Sequence, residues 1–378
     1  MDTPGEMNSS VEFNATLNSS DYIIPYDTRP ETYVVPVVFL LIFLIGVIGN
    51  GTLVMIFLKH KHMRNVPNTY IFSLALADLL VIVTSVPFTS IIYTMENWPW
   101  GETICKISES AKDLSVAVSV FTLTALSADR FFAVVDPLKK IHGGGRNCCT
   151  TRITIVIAVM IWATSSLIAL PAAMGSHIKF IPNEENERFH VCYPYPRTWL
   201  KERYPEFMIV FKFLVLYLIP LLVIGFFYLN MAMHLISSTK NMPGEVQGLR
   251  KQMRARRKVA VTVLIFVAVF FVCFAPGHIF MLLFYFYPDF EDLYDAFWHY
   301  FRITGFCLAY VNYCANPIAL YFLSGAFRKY FNRYLFRRRL TRSDTYPRQQ
   351  TSISLLSSKR NRQGSTKNDE KIMPNLVQ

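Results

Sequence analysis

The chain has 378 residues, 52% of them hydrophobic, with a mean hydropathy of +0.29 and a formal net charge of +12. That is too apolar for an ordinary soluble globule of this size. The positive charge is segregated along the chain, so it reads as a membrane-topology signal rather than a nucleic-acid surface.

Residues 1–32 are polar and acidic, with Asp2, Glu6, Glu12, Asp21, Asp27 and Glu31 against Arg29. They are expected to form a disordered extracellular tail. Asn8, Asn14 and Asn18 each open an Asn-x-Ser/Thr sequon there and are the expected glycosylation sites. Asn50-Gly51-Thr52 fits the same pattern but falls in a span. The start has no basic segment followed by a short apolar core, so the first span is expected to serve as the insertion signal.

A helix needs roughly 20 apolar residues to cross a bilayer. Seven stretches in residues 33–323 qualify: Tyr33–Leu58, Thr69–Met95, Ile104–Val135, Ile153–Met174, Phe207–Leu235, Val259–Tyr287 and Ala296–Leu323. The first, fourth and sixth contain no Asp, Glu, Lys or Arg. Asp78 is the one charge in the second, Lys212 in the fifth and Arg302 in the seventh. The third is the least apolar. Lys106, Glu109, Lys112 and Asp113 cluster at its start, and Asp129-Arg130-Phe131 closes it. Lipid cannot satisfy backbone N–H and C=O groups, so these stretches should be helices. The short alternating segments of a β-barrel are absent. The expected fold is an all-α membrane protein, a seven-transmembrane helix bundle with a short amphipathic eighth helix.

Lys59, Lys61 and Arg64, then Lys139, Lys140, Arg146 and Arg152, then Arg250 to Lys258, then Arg328 to Arg339 all fall on one side of this topology. That side should be cytoplasmic, with the N-terminus outside and the C-terminus inside. The long loops are expected at Ser176–Glu206 outside and around Ser237–Gln252 inside. Residues 324–340 carry Phe327, Tyr330, Phe331, Tyr334 and Leu335 at spacings of three and four among Arg and Lys, the pattern of a helix on the inner leaflet. Residues 341–378 form a Ser- and Thr-rich cytoplasmic tail, expected to be disordered. It offers phosphate acceptors such as Thr341, Ser343 and Ser352. Cys105 opens the third span and Cys192 lies in the long outer loop. The oxidising compartment permits a disulfide between them. Cys148, Cys149, Cys273, Cys307 and Cys314 read as small buried or cytosolic thiols.

These residues match a family. Gly49-Asn50, Leu74-Ala75-Leu76-Ala77-Asp78-Leu79, Asp129-Arg130-Phe131, Trp162, Pro220 with Tyr228, Cys273-Phe274-Ala275-Pro276, and Asn312 with Asn316-Pro317 mark every span. Over about Tyr33 to Tyr334 the chain resembles the rhodopsin-like (class A) G-protein-coupled receptors. Within them it looks most like the bombesin-receptor group. Met63-Arg64-Asn65-Val66-Pro67-Asn68-Thr69-Tyr70, Asn316-Pro317-Ile318-Ala319-Leu320-Tyr321 and Asn241-Met242-Pro243-Gly244-Glu245 carry that likeness, which is closest to arthropod CCHamide neuropeptide receptors. Three positions depart from the general pattern. Phe131 stands for the usual tyrosine, Phe274 for the usual tryptophan, and Leu320 for a tyrosine that comes one place later as Tyr321.

The resemblance implies an extracellular neuropeptide ligand and a heterotrimeric G protein partner, with a rise in intracellular calcium. It also implies a receptor kinase and arrestin at the tail, a plasma-membrane location among membrane lipid, and a bridge between Cys105 and Cys192. A different neuropeptide or a non-peptide ligand stays open. The switch set it implies is Val120, Asp129, Arg130, Pro220, Tyr228, Phe270, Phe274, Pro276, Asn316, Pro317 and Tyr321. Arg130 would be held by Asp129 at rest and released toward the G protein. The acid that clamps this arginine in many relatives is replaced by Arg254-Ala255-Arg256-Arg257-Lys258. Read without the family, Val120, Pro220 and Phe270 are ordinary core. Asp78, Ser119, Asn312 and Asn316 match the family's sodium pocket, an allosteric ion being the only cofactor expected. A hydrogen-bonded Asp78 with no ion is the alternative.

Ligand contacts are expected at the outer ends of the spans: Tyr93, Trp98, Glu109, Lys112, Lys212, His278, Met281, Arg302, Phe306 and Tyr310. Lys112 and Lys212 read as lone ammoniums below the surface. Their alternatives are a salt bridge, with Glu109 or Asp113 for Lys112, and snorkelling to the interface. The arginine contacts of vertebrate bombesin receptors fall near Phe284 and Phe306, neither of them basic.

Other functions fit less well. An amine receptor needs an acid where Lys112 stands, and Asp113 faces about 100° away on a helix of 3.6 residues per turn. A light receptor needs a Schiff-base lysine where Tyr310 stands. Internal repeats of a transporter are not seen, and no HExxH, GxSxG or facing pair of aspartates suggests an enzyme.

Overall fold

A computed structural model describes residues 29–92, 94–95, 97–135, 147–182, 188–196, 199, 203–240 and 247–336. Seven helices there are long and apolar enough to cross a membrane: Pro30–Lys59, Val66–Thr84, Gly101–Val135, Arg152–Gly175, Tyr204–His234, Ala260–Phe286 and Ala296–Leu323. They are taken below as spans one to seven. All seven expected spans are helical, and several of their boundaries differ from the sequence reading.

Span one starts at Pro30, three residues before the apolar run. Proline suits the first helical turn, where its missing N–H would have no partner anyway. Span two stops at Ser85, well before Met95, and a separate turn Val86–Thr89 follows. Pro87 has no N–H for the carbonyl of Val83, and its ring crowds that oxygen. At the cytoplasm-assigned end of spans five and six, helix runs through much of the expected loop, in Ile219–Lys240 and Gln247–Phe286. In span five, Leu214–Leu218 form a π-helical turn just before Pro220. Proline leaves the carbonyl four residues back without its N–H partner, and the helix widens at this turn.

Span three is the central post, packing against spans two, four, five and six, while span seven closes the ring against spans one and six. Apolar side chains such as Leu167, Leu222, Phe226 and Phe322 point outward, as a lipid-facing surface requires. Polar cross-ties hold the interior. Asn50 Nδ2 donates to the carbonyl of Tyr313 at 2.8 Å, joining spans one and seven. Trp162 Nε1 donates to Ser73 Oγ at 2.9 Å, joining four to two. Ser85 Oγ lies 2.8 Å from Ser108 Oγ and 3.2 Å from Tyr310 OH, so the break in span two is tied to spans three and seven.

Between spans four and five the long loop folds as an antiparallel hairpin, β1 (His177–Pro182) and β2 (Arg188–Tyr193). Gly101, at a φ of +72°, turns the chain into span three, where a side chain would be strained. After Ser324 a separate unit begins with the helix Gly325–Phe336, inside the expected 324–340, whose last four residues lie outside the described ones. Its apolar Phe327, Phe331 and Tyr334 alternate with Arg328, Lys329 and Arg333 as an amphipathic helix does. Residues 1–28 and 337–378, with the sequons and the phosphate-acceptor tail, lie outside the described residues.

Spans one and seven come into close contact at Gly49, where a Cβ would come within 2.6 Å of Pro317 Cγ and 2.8 Å of Pro317 Cβ. The proline ring cannot swing aside. Gly51, two residues on, has nothing within 4 Å of that position. Gly49→Ala should therefore destabilise the protein by about 1–3 kcal/mol through overpacking. Gly51→Ala should be neutral or stabilising by up to about 1 kcal/mol from helix propensity. Unfolding midpoints of the two purified variants in one detergent test this. Equal midpoints would show that the close approach carries no stability.

Candidate functional site

At the hairpin end the bundle opens into a cavity of about 610 Å³. The hairpin is fixed covalently to the bundle: Cys105 of span three and Cys192 of β2 form a disulfide, with Cα atoms 5.5 Å apart. Opposite Cys192 on β1 stands Ile178. A second tie comes from the loop after span two. His190 N donates to Asn97 Oδ1 at 2.8 Å, and Trp98 N donates to the carbonyl of His190 at 2.7 Å.

Five of the residues singled out in the sequence share the cavity wall: Lys212, His278, Met281, Arg302 and Phe306. Phe274 forms part of its floor. Four others lie elsewhere. Trp98 is buried in the loop, where its Nε1 donates to the carbonyl of Gly101 at 2.9 Å. Tyr310 packs on Phe39 of span one, ring centroids 4.8 Å apart. Lys112 and Glu109 are half-buried beside each other on span three. Tyr93 lies outside the described residues.

Neither lysine is a lone ammonium. Lys112 Nζ sits 2.5 Å from Glu109 Oε1, one turn back on the same helix. Lys212 Nζ sits 2.8 Å from the Asp113 carboxylate, which joins span five to span three, with side chains only 17% and 14% exposed. Tyr195 completes this floor, its ring 5.4 Å from Lys212 Nζ. Burial pushes the Tyr195 hydroxyl above its usual pKa, while Lys212 pulls the other way.

The rim holds a contact that the sequence reading assigned to the disordered tail. Glu31 Oε1 accepts from His299 Nε2 at 2.9 Å, tying the first turn of span one to span seven. Arg302 lies over the Tyr294 ring at 5.8 Å, and its Nε is buried without an acceptor. Burial also raises the Tyr294 hydroxyl above its usual range, and Arg302 opposes the shift. The signal for Glu31 was slight: an acid directly after Pro30 and just before the apolar run.

Below the floor the mid-bundle residues come together. Phe274 packs on Phe270 at 4.6 Å between centroids, and Val120 and Phe270 are fully buried. Pro276 and Pro317 each sit inside a helix that continues through them. Asp78 is fully buried; Asn316 Nδ2 donates to its Oδ2 at 2.8 Å, and Oδ1 has no partner. Ser119 Oγ is likewise buried without a partner, and Asn312 is buried nearby in sequence to Asn316. The described structure thus carries two unsatisfied oxygens among these four residues, which suits a small cation with oxygen ligands.

At the opposite end Arg130, 9% exposed, is ion-paired with its neighbour Asp129. Tyr228 OH donates to the carbonyl of Ala260 at 2.8 Å, linking spans five and six beside the cluster of Val134, Met231 and Ala260. Phe131, against this cluster, stacks near Phe227 at 5.5 Å. Leu320 is buried, while Tyr321 is half-buried. The side chains of Arg254 to Lys258 lie outside the description.

Residues 49–321 match the model of the 7 transmembrane receptor (rhodopsin family). The chain is 52% identical over 362 residues to the neuropeptide CCHamide-1 receptor of Drosophila melanogaster, covering 93% of this chain and 72% of that one. It is 40% identical over 301 residues to bombesin receptor subtype-3 of Ovis aries, covering 77% and 72%.

Removing one member of a buried ion pair strands the other charge, at about 3–5 kcal/mol. Lys212→Met alone should lower the stability of the purified protein by that order. Adding Asp113→Leu should return most of the loss. Thermal unfolding of wild type, both single variants and the double variant completes the cycle. Additive losses would mean the two charges are not coupled.

Proposed function

The chain belongs to the rhodopsin family of seven-transmembrane receptors, and from that premise we propose that it receives an extracellular neuropeptide of the CCHamide or bombesin kind. It is a multi-pass membrane receptor, not an enzyme. In this reading the hairpin end faces outward and the Arg130 end faces the cytoplasm, where a heterotrimeric G protein docks and intracellular calcium rises. The basic Lys59 to Arg64 and Arg328 to Arg339 segments support that orientation. The helix Gly325–Phe336 lies along the inner leaflet, and a kinase and arrestin act on the tail beyond it.

The observation that carries the reading is the arrangement of span three. One helix holds Cys105 of the disulfide, Asp113 as the partner of the cavity-lining Lys212, the buried Val120 at mid-bundle, and the Asp129–Arg130 pair at the far end. A peptide settling on the floor presses on Phe274 and hence Phe270. Span six, with Pro276 inside it, swings against span five and breaks the Tyr228–Ala260 contact. Arg130 is then freed from Asp129. Phe274 has no indole N–H, so packing alone carries the first step. Asp78, Ser119, Asn312 and Asn316 would hold a sodium ion that favours the resting arrangement by filling the unsatisfied oxygens.

Expression in cells with calcium and cyclic-AMP readouts, challenged with a panel of amidated neuropeptides including the CCHamide agonist of the relative, tests the assignment. Arg130→Ala should abolish the response while leaving agonist binding within about threefold of wild type. Full signalling by a variant that reaches the surface normally would remove Arg130 from this role.

A further inference from the structure

The charges that line the cavity do not cancel. Arg29, Lys212 and Arg302 stand on its wall, with Glu31 the acid among the described lining residues. Behind Lys212 lies Asp113, 2.8 Å from its Nζ, which leaves an excess of one positive charge. Glu31 is taken up by His299, whose Nε2 donates to Oε1 at 2.9 Å, while Tyr294 OH lies 3.3 Å from Nδ1 of the same ring. Arg302 comes one turn after His299 on span seven and one turn before Phe306, and all three line the cavity. Among the described residues no carboxylate pairs with it. Its guanidinium meets the Tyr294 ring at 5.8 Å, and its buried Nε has no acceptor. A ring face offsets only part of what a guanidinium loses on leaving water. The backbone beneath it is held close to span six: at Gly305 a Cβ would stand 3.1 Å from Pro276 Cβ. Arg302 is thus a positioned cation that, among the described residues, faces the cavity without an anion.

We infer that Arg302 reads a carboxylate on the ligand. This rests on the peptide reading above and adds a chemical group that the peptide carries. The planar fork of a guanidinium matches the two oxygens of a carboxylate in a way that an ammonium does not. Apolar Phe280, Met281 and Phe306 share the wall, which strengthens the attraction. Lys212 does not take this part, because Asp113 already answers it and repels a second acid at short range. The carboxylate has two sources, an Asp or Glu side chain or a free C-terminus. Either one docks on span seven, a turn further in than the Glu31–His299 tie.

The test uses the full-length receptor in cells, with surface expression measured for every variant. The main probe is neuropeptide CCHamide-1, for which the Drosophila relative is named. Beside it are analogues in which each Asp or Glu in turn becomes Asn or Gln, or Lys, and forms with a free and with an amidated C-terminus. On wild type one neutralised analogue should lose roughly tenfold or more in potency, from truncating one partner of a charged pair. A free C-terminal form that outdoes the amidated one by that factor assigns the terminus instead. Arg302→Gln should bring the acid-bearing form down to the neutral one, so that their ratio approaches one. Arg302→Glu should restore potency to the Lys analogue at an assigned side-chain position. A peptide that stays fully potent on wild type with every carboxylate removed overturns this inference and leaves the peptide assignment standing. So does a wild-type ratio left intact in an expressed Arg302→Gln. Should Arg302→Gln fail to reach the surface, Arg302→Lys decides. It keeps the charge but not the fork, so the acid-bearing form should lose about threefold or more, and an unchanged potency overturns the inference equally. Silence of well-expressed wild type to every peptide of the panel overturns the peptide assignment, and this inference with it.

Discussion

Hydrocarbon offers no partner to a polar atom, and the arrangement of this bundle follows from that single constraint. Backbone groups are satisfied by making seven helices, which leaves the polar side chains to find one another. Asn50 reaches across to the Tyr313 carbonyl, Trp162 to Ser73, Ser85 to Ser108 and Tyr310, and Asp113 to Lys212. Each tie fixes the rotation of one helix against another, because a helix turned by one residue would strand its polar group in lipid. Dispersion then fills the remaining contacts, as where Gly49 lets the Pro317 ring lie against span one. Removing the polar ties would leave an apolar bundle with several nearly equal packings.

The same constraint explains why some polar groups are left over. Asp78 Oδ1, Ser119 Oγ, Arg302 Nε and one oxygen of Glu31 are buried without partners. They lie in two zones, the mid-bundle around Asp78 and the rim of the cavity. Asn50 Oδ1, Ser115 Oγ, Thr122 Oγ1 and Ser165 Oγ share that state elsewhere in the bundle, so an unpartnered buried atom does not by itself mark a binding site.

Much of this was legible in the sequence, because the bilayer writes its length scale and charge rule into composition. All seven spans and the amphipathic helix after them follow from hydropathy and charge, while the bridge between Cys105 and Cys192 and the hold of Asp129 on Arg130 are what the family resemblance implies. What was not legible is the pairing of distant residues. Asp113 and Lys212 are 99 positions apart and Glu31 and His299 are 268 apart. Periodicity places each on a helix but cannot say which helix it faces. Glu31 was assigned to the tail for the same reason: its acid looked solvated until span seven was placed beside it. The break at Ser85 was missed because a continuous apolar run hides the one backbone donor that Pro87 lacks.

The phenylalanine at position 274 has a further consequence. The chain's five tryptophans are Trp98, Trp100, Trp162, Trp199 and Trp298. Trp98 caps the hairpin, Trp100 meets Phe88 after the break in span two, Trp199 packs on Tyr204, and Trp298 packs on Phe290 at the start of span seven. Trp162 is held by Ser73 between spans four and two, against Ala77 and Val118. The indole chromophores thus sit at the mouth of the receptor or on the inner side of span four. None stands beside Phe270 and Pro276, where the helices rearrange. The intrinsic emission of this protein is therefore a signal of arrival at the mouth, and the motion beneath it is spectroscopically dark.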